Sequence, residues 1–174
     1  MKTSYTSVKP IIAVKTIKEH DVGGDLGYRF DSGCNPTGVT KIHIVCGHFK
    51  YDKKEYKWAV LRVFLEFADS SKNPSYHVYQ ISRGTWSTFV VNPGDKITKI
   101  VVWADELSAH ALQIHTKYGI ISELYGCPNQ ESKPHEFYGG SAFEGRDDIE
   151  LVGVHGKCGE LLDRLGFTYA AVVP

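Results

Sequence analysis

Residues 58–67, WAVLRVFLEF, carry an apolar side chain at every second position, so that Ala59, Leu61, Val63, Leu65 and Phe67 share one side. A repeat of two lines up one face of an extended strand and cannot make the stripe of a 3.6-residue helix. The chain must therefore build a sheet with a deeply buried face. Further β-branched or aromatic runs recur at 11–16, 39–46, 76–81, 88–91, 97–103, 111–116, 120–124, 149–155 and 167–173. Turn-forming groups separate them: Asp-Ser-Gly at 31–33, Asn-Pro-Gly-Asp at 92–95 and Gly-Cys-Pro-Asn at 126–129. Short strands at this spacing predict an all-β sandwich, barrel or prism. Two segments allow a helical alternative, 105–115 and 160–165, the second fenced by Gly159 and Gly166. Residues 130–135 read as a loop.

A chain of 174 residues suffices for one domain with a real core and is too short for two comfortable ones. No charge block, linker or low-complexity tract divides it, so residues 1–9 read as a flexible leader and 10–174 as the domain. Twenty Lys and Arg offset twenty Asp and Glu, leaving no net field to gather nucleic acid or anionic lipid. Lys50, Lys53, Lys54 and Lys57, interleaved with Tyr51, Tyr56 and Trp58, have the composition of a basic stacking stripe. The charge balance favours a solvated hairpin there instead. No apolar run approaches the roughly 20 residues of a spanning helix, and the first ten residues are polar where a secretory signal is apolar. A soluble chain without membrane insertion is expected, cytoplasmic or secreted by a non-classical route. Cys34, Cys46, Cys127 and Cys158 lie far apart with no C-x-x-C pair, which predicts free thiols, with one or two disulfides as the alternative in a secreted chain.

Eight histidines raise a metal or catalytic reading, yet none falls in a recognised ligand or nucleophile spacing. Most are expected at the surface or a rim, with no metal, no cofactor and no enzyme. Two glycine-bearing segments, 22–33 and 152–166, stand near the two ends of the chain. Glycine leaves backbone N–H groups unobstructed and allows close approach of a ligand. Asp163 adds a carboxylate able to accept two hydrogen bonds from adjacent hydroxyls. Such equipment grips a sugar's vicinal hydroxyls; two ordinary tight turns explain the glycines equally well.

The second segment resembles the end of a jacalin-related lectin domain, with Gly159-Glu160-Leu161-Leu162-Asp163 matching that family's G-x-x-x-D sugar loop. The first is similar to the family's opening G-G-x-G-G-x-x-F-D-D-G, with Gly23, Gly24, Gly27, Phe30, Asp31 and Gly33 in place and Leu26 and Ser32 departing from it. Residues 89–100 look like the family's F-x-L-x-x-G-E-x-I-x-x-I hairpin, and residues 139–143 sit where it has a G-T-x-F turn. The resemblance implies an all-β fold, the β-prism I of three four-stranded antiparallel sheets with pseudo-threefold symmetry. It further implies carbohydrate binding without catalysis, at one shallow site. Carried over, Gly27 would contact the sugar through its backbone, Glu160 and Leu161 would donate backbone N–H groups beside Gly159, and Asp163 would accept from two hydroxyls. Asp105, Glu106 and Leu107 would form a third wall. The chain runs unbroken into the glycine loop, which in this family goes with mannose or glucose, so mannose-type glycans are expected first and galactose-type second, with a homo-oligomer, a dimer first, supplying avidity. Residues 73–84 lack the family's H-G-G element, so no second sugar site is expected. Leu26 and Glu160 leave one alternative, a protein-interaction or assembly module whose sugar loop has decayed.

Overall fold

The computed structural model describes residues 12–74, 84–140, 146 and 148–173. The leader, the run at 76–81, most of the 73–84 segment and the end of the 139–143 turn lie outside them. The regular elements among the described residues are all strands, with turns and irregular segments between them: β1 (Ile12–Lys18), β2 (Val22–Gly23), β3 (Tyr28–Asp31), β4 (Val39–Tyr51), β5 (Lys54–Phe67), β6 (Lys72–Asn73), β7 (Thr85–Val90), β8 (Ile97–Ala104), β9 (Ala109–Thr116), β10 (Tyr125–Gly126), β11 (Lys133–Phe137), β12 (Ile149–Cys158) and β13 (Leu162–Val173). They make three antiparallel sheets ordered β1-β13-β12-β3, β10-β9-β8-β11 and β6-β5-β4-β7, with short β2 added beside β13. Strands β13, β9 and β5, one from each sheet, touch one another, as the faces of a prism must. The core they enclose takes Ile42, Ile44, Val63 and Leu65 from one sheet, Ile100, Ile114 and Phe137 from the second, and Leu151, Phe167 and Tyr169 from the third. Each such side chain contributes roughly 1.5–3 kcal/mol by leaving water.

The period-two run forms β5, but its five side chains do not share one side. Val63, Leu65 and Phe67 enter the common core, whereas Ala59 and Leu61 join a second cluster with Val45, Phe49 and Leu161. The reason is a bulge: Val45 pairs with Arg62 and Cys46 with Val60, so Leu61 has no opposite number. One extra residue turns every side chain beyond it to the other face. The lysine-rich stretch is the expected hairpin, closed by Asp52 and Lys53 with φ of 41° and 65°, the left-handed pair that suits a two-residue turn.

Neither helical alternative forms. Residues 109–116 pair with β8 and 162–173 with β12, so long-range pairing of buried faces overrides local pattern. Residues 133–137, read within or beside a loop, are strand β11, an exposed edge partner of β8 that holds Pro134. Proline is tolerated only at such an edge, which hides the strand from a pattern search. The segment 89–100 is a crossover rather than a paired hairpin, because β7 and β8 belong to different sheets. All four cysteines are free, Cys46 and Cys158 buried, Cys34 and Cys127 exposed.

Candidate functional site

The two glycine segments meet. Gly24 N–H donates to the Asp163 carbonyl at 2.8 Å, joining the loop after β2 to the start of β13. A Cβ on Gly24 would lie 2.4 Å from the Leu107 carbonyl oxygen, so the third loop, between β8 and β9, packs against the same backbone. Gly27 has φ +87°, and a Cβ there would lie 2.5 Å from Asp163 Oδ2. Only glycine lets the chain pass this close in that conformation. Arg164 ties the first loop down: its guanidinium bonds Asp21 Oδ1 at 2.8 Å, the Asp21 carbonyl at 2.9 Å and Asp25 Oδ1 at 3.0 Å. Two weaker bonds reach the Gly23 and Gly24 carbonyls, both at 3.3 Å.

These loops border a cavity of about 270 Å³. Gly27, Gly159, Glu160, Leu161, Asp163 and Leu107 line it, joined by Leu26 and Phe49. Asp105 and Glu106 line a neighbouring, more polar cavity instead, reached across Leu107 and bordered also by Glu131 and Lys133. Phe49, brought in by β4, carries no mark in the sequence. Neither does Arg62, 2% exposed, whose guanidinium donates to the carbonyls of Leu61 and Gly159 and so braces the 159–163 loop. Asp163 is 7% exposed. Burial pushes its carboxyl up to about 6 against the opposing pull of a Gly159 backbone hydrogen bond and the charges of Arg62 and Lys157. Tyr125 is buried and Tyr138 exposed, and neither borders the cavity.

Asp105 is spent on structure. Its Oδ1 accepts from the N–H groups of Leu107 at 2.8 Å and Ser108 at 3.0 Å, and its Oδ2 meets Asn129 Nδ2 at 2.9 Å and His110 Nε2 at 2.8 Å. Burial works to raise its carboxyl, but these bonds outweigh it and hold the group at about 2. His110 and His155 are buried, while the other five described histidines are exposed or half-buried, as expected of most of them. Each has a carboxylate beside it, Asp105 for the first and Asp21, at 3.6 Å, for the second. Ser108, His110 and Asp105 form a cluster of the residue types used in nucleophilic catalysis, yet Ser108 Oγ (3.4 Å) and Asp105 meet the same ring nitrogen. A relay needs the two partners on opposite nitrogens, so this cluster anchors the loop. No group of three or more His, Cys, Asp or Glu able to hold a metal ion occurs among the described residues.

A carboxylate in an apolar hollow, edged by glycine backbone, is equipment for a neutral polyol. The family model of the jacalin-like lectin domain matches residues 20–168. No curated protein sequence matches the chain. Among solved structures, artocarpin in its complex with mannotriose shares 18% identity, 89% of this chain and 97% of that one being covered, with a TM-score of 0.67. A mannose-binding jacalin-related lectin from Ananas comosus is 18% identical over 88% of this chain and 96% of its own, with a TM-score of 0.66. A prostate-specific WGA16 glycoprotein lectin is 20% identical over 85% and 94%, with a TM-score of 0.62. These neighbours share the β-prism fold, and with the family match along most of its length the chain belongs to the jacalin-like lectin domain family of non-enzymatic, carbohydrate-binding proteins.

Proposed function

We propose that the Asp163 cavity binds one terminal sugar of a mannose- or glucose-type glycan. Asp163 accepts hydrogen bonds from two adjacent hydroxyls, the backbone N–H groups of Glu160 and Leu161 donate to ring or hydroxyl oxygens, and Gly27 lets the first loop close over the sugar. The observation that carries this reading is the meeting of Gly27 and Asp163 across a small hollow, where a Cβ would come within 2.5 Å of the carboxylate. The mannose preference draws support from neighbours described as mannose-binding. A carboxylate between two hydroxyls exchanges water for ligand with little net gain, so one site alone binds weakly, with Kd near the millimolar range. Avidity then comes from a homodimer or a branched glycan.

The test is a glycan array carrying mannose-, glucose- and galactose-terminated structures, probed with the native chain and with Asp163→Ala. Signal on mannose-terminated glycans that disappears in the folded variant supports the assignment. Signal confined to galactose overturns the preference, and a blank array with recovery of a protein partner turns the reading to an interaction module.

A further inference from the structure

Among the described residues the three sheets end on β1, β3, β6, β7, β10 and β11, and all but one of these edges are blunted. β6 and β10 have two residues each, and β3 carries Arg29 and Asp31. β1, continued by two-residue β2, carries Lys15 and Lys18 and is irregular between Ala13 and Lys15, while β11 holds Pro134 between Lys133 and Glu136. Short length, charge, proline and bulges are the devices that keep an edge from pairing with another chain. β7 has none of them. Its six residues, Thr85-Trp86-Ser87-Thr88-Phe89-Val90, include no charge, proline or glycine, and they pair with β4 without a register shift. Trp86 and Val90 are 53% and 56% exposed.

One hydrogen bond tells which groups of β7 are free. Val91 N–H donates to the Thr40 carbonyl at 2.9 Å, and bonded and unbonded positions alternate along an antiparallel ladder. Phe89, Ser87 and Thr85 therefore bond β4, whereas the N–H and C=O of Trp86, Thr88 and Val90 face away from it. A second β7 laid antiparallel, with Thr88 opposite the partner's Thr88 and Trp86 opposite the partner's Val90, satisfies all of these groups, since each facing pair exchanges both its bonds. The same register sets an aromatic against a β-branched side chain, and Thr against Thr, both favourable cross-strand pairs. Phe89 stays packed against its own core, and Trp86 is already ordered by stacking on Phe64, with ring centroids 5.1 Å apart. Twenty Lys and Arg offset twenty Asp and Glu, so no net charge holds two copies apart. We infer that β7 is a homodimer edge, through which two copies join their β6-β5-β4-β7 sheets into one about a two-fold axis at Thr88.

The paired strand is short, so the interface falls in the smallest class, under about 1,200 Å², and the dimer is reversible. The Asp163 cavity lies beyond the Thr85 end of β7, because Cys46, opposite Thr85, precedes the cavity residue Phe49 on β4. The two-fold axis reverses the partner's strand, which puts the two cavities at opposite ends of the joined sheet, placed to bridge two glycan-bearing surfaces. That consequence rests on the sugar-site reading above; the interface itself does not.

Sedimentation velocity of the full chain, from about 1 µM to about 200 µM, should pass from monomer to dimer, as a small interface requires. Thr88→Lys and Thr88→Glu each weaken the dimer at least tenfold, because like charges then meet on the axis, and mixing the two variants restores association. Circular dichroism establishes that both are folded. Amide exchange followed by NMR on the native chain needs no variant: the N–H groups of Trp86, Thr88 and Val90 gain protection as concentration rises, while those of Ser87 and Phe89 are protected throughout. A monomer across the whole range, a dimer indifferent to both Thr88 changes, no restoration on mixing, or exchange independent of concentration overturns the inference. Capture of an extended peptide along β7 by a chain that stays monomeric overturns it as well and gives the edge another occupant. Sugar binding by a monomer leaves the sugar-site reading standing without this interface, and a dimer that binds no sugar leaves the interface standing without the bridging role.

Discussion

Gly27 and Gly33 offer a controlled pair, since both stand at positive φ and only one is crowded. Gly27 has φ +87°, and a Cβ there would sit 2.5 Å from Asp163 Oδ2 and 2.8 Å and 2.9 Å from the Cys158 carbonyl carbon and oxygen. Gly33 has φ +68° with nothing within 4 Å of the same added atom. An alanine in left-handed backbone costs about 1–2 kcal/mol, and both variants bear it. Both also gain the same few tenths of a kcal/mol or more from a stiffer unfolded chain, which cancels in the difference. Gly27→Ala alone must push apart packed backbone and carboxylate, adding about 1–3 kcal/mol. In a chain of this size, 1 kcal/mol moves Tm by roughly 2–4 °C, so Gly33→Ala lowers Tm by roughly 2–8 °C and Gly27→Ala by roughly 4–20 °C. Differential scanning calorimetry measures the two drops, and sugar titration on the same samples reads the site. Gly33→Ala keeps binding; Gly27→Ala loses it, because the displaced atom is the carboxylate assigned to the hydroxyls. Equal drops in Tm, or native affinity in Gly27→Ala, would refute the reasoning.

Asp163 gives a pH dependence of unusual sign. Its carboxyl is raised from 3.8 to about 6, so between those values the native chain holds a proton that the unfolded chain has released. This group's stabilisation is therefore full below pH 4 and is lost as pH rises through 6, a change of about 3 kcal/mol. Asp163→Asn, neutral throughout, should melt above the native chain at pH 8 and lose that advantage at pH 4; sugar affinity of the native chain should fall as pH drops through about 6. Arg62→Met removes a charge that pulls the Asp163 carboxyl down and two carbonyl contacts. Its urea midpoint should fall, by about 3 kcal/mol in stability, and the pH midpoint of sugar binding should move up. Asp105 behaves oppositely to Asp163: held at about 2 against an ordinary 3.8, it stabilises above pH 4 and ceases to do so as pH falls through 2. Urea unfolding between pH 2 and 5 should show that loss in the native chain and not in Asp105→Ala, which lacks it at every pH.

What could be read from the sequence was what is local. The alternation of residues 58–67 announces a strand, and the glycines around Gly27 and Gly159 announce close backbone approach. The bulge at Leu61 is invisible there, because it exists only in the register between β4 and β5, and Phe49 was out of reach because its place at the cavity depends on how that sheet packs against the two glycine loops. Arg164 escaped for a different cause: it follows Asp163 directly, and its role depends on Asp21 and Asp25, about 140 residues earlier. Asp105 looked like a wall residue by position, while its bonds to Leu107, Ser108, Asn129 and His110 hold the wall in place from behind. The buried histidines were missed because a carboxylate partner far along the chain, such as Asp21 for His155, leaves no spacing to read.

The proposed sugar site turns on the Asp163 carboxylate. Titration calorimetry of methyl α-mannoside at pH 8 into the native chain and into Asp163→Asn tests it most directly, with circular dichroism to establish that the variant is folded. Saturable binding near one sugar per chain is expected for the native protein and binding at least tenfold weaker for the variant, although the variant is the more stable of the two. Equal affinity in both would contradict it.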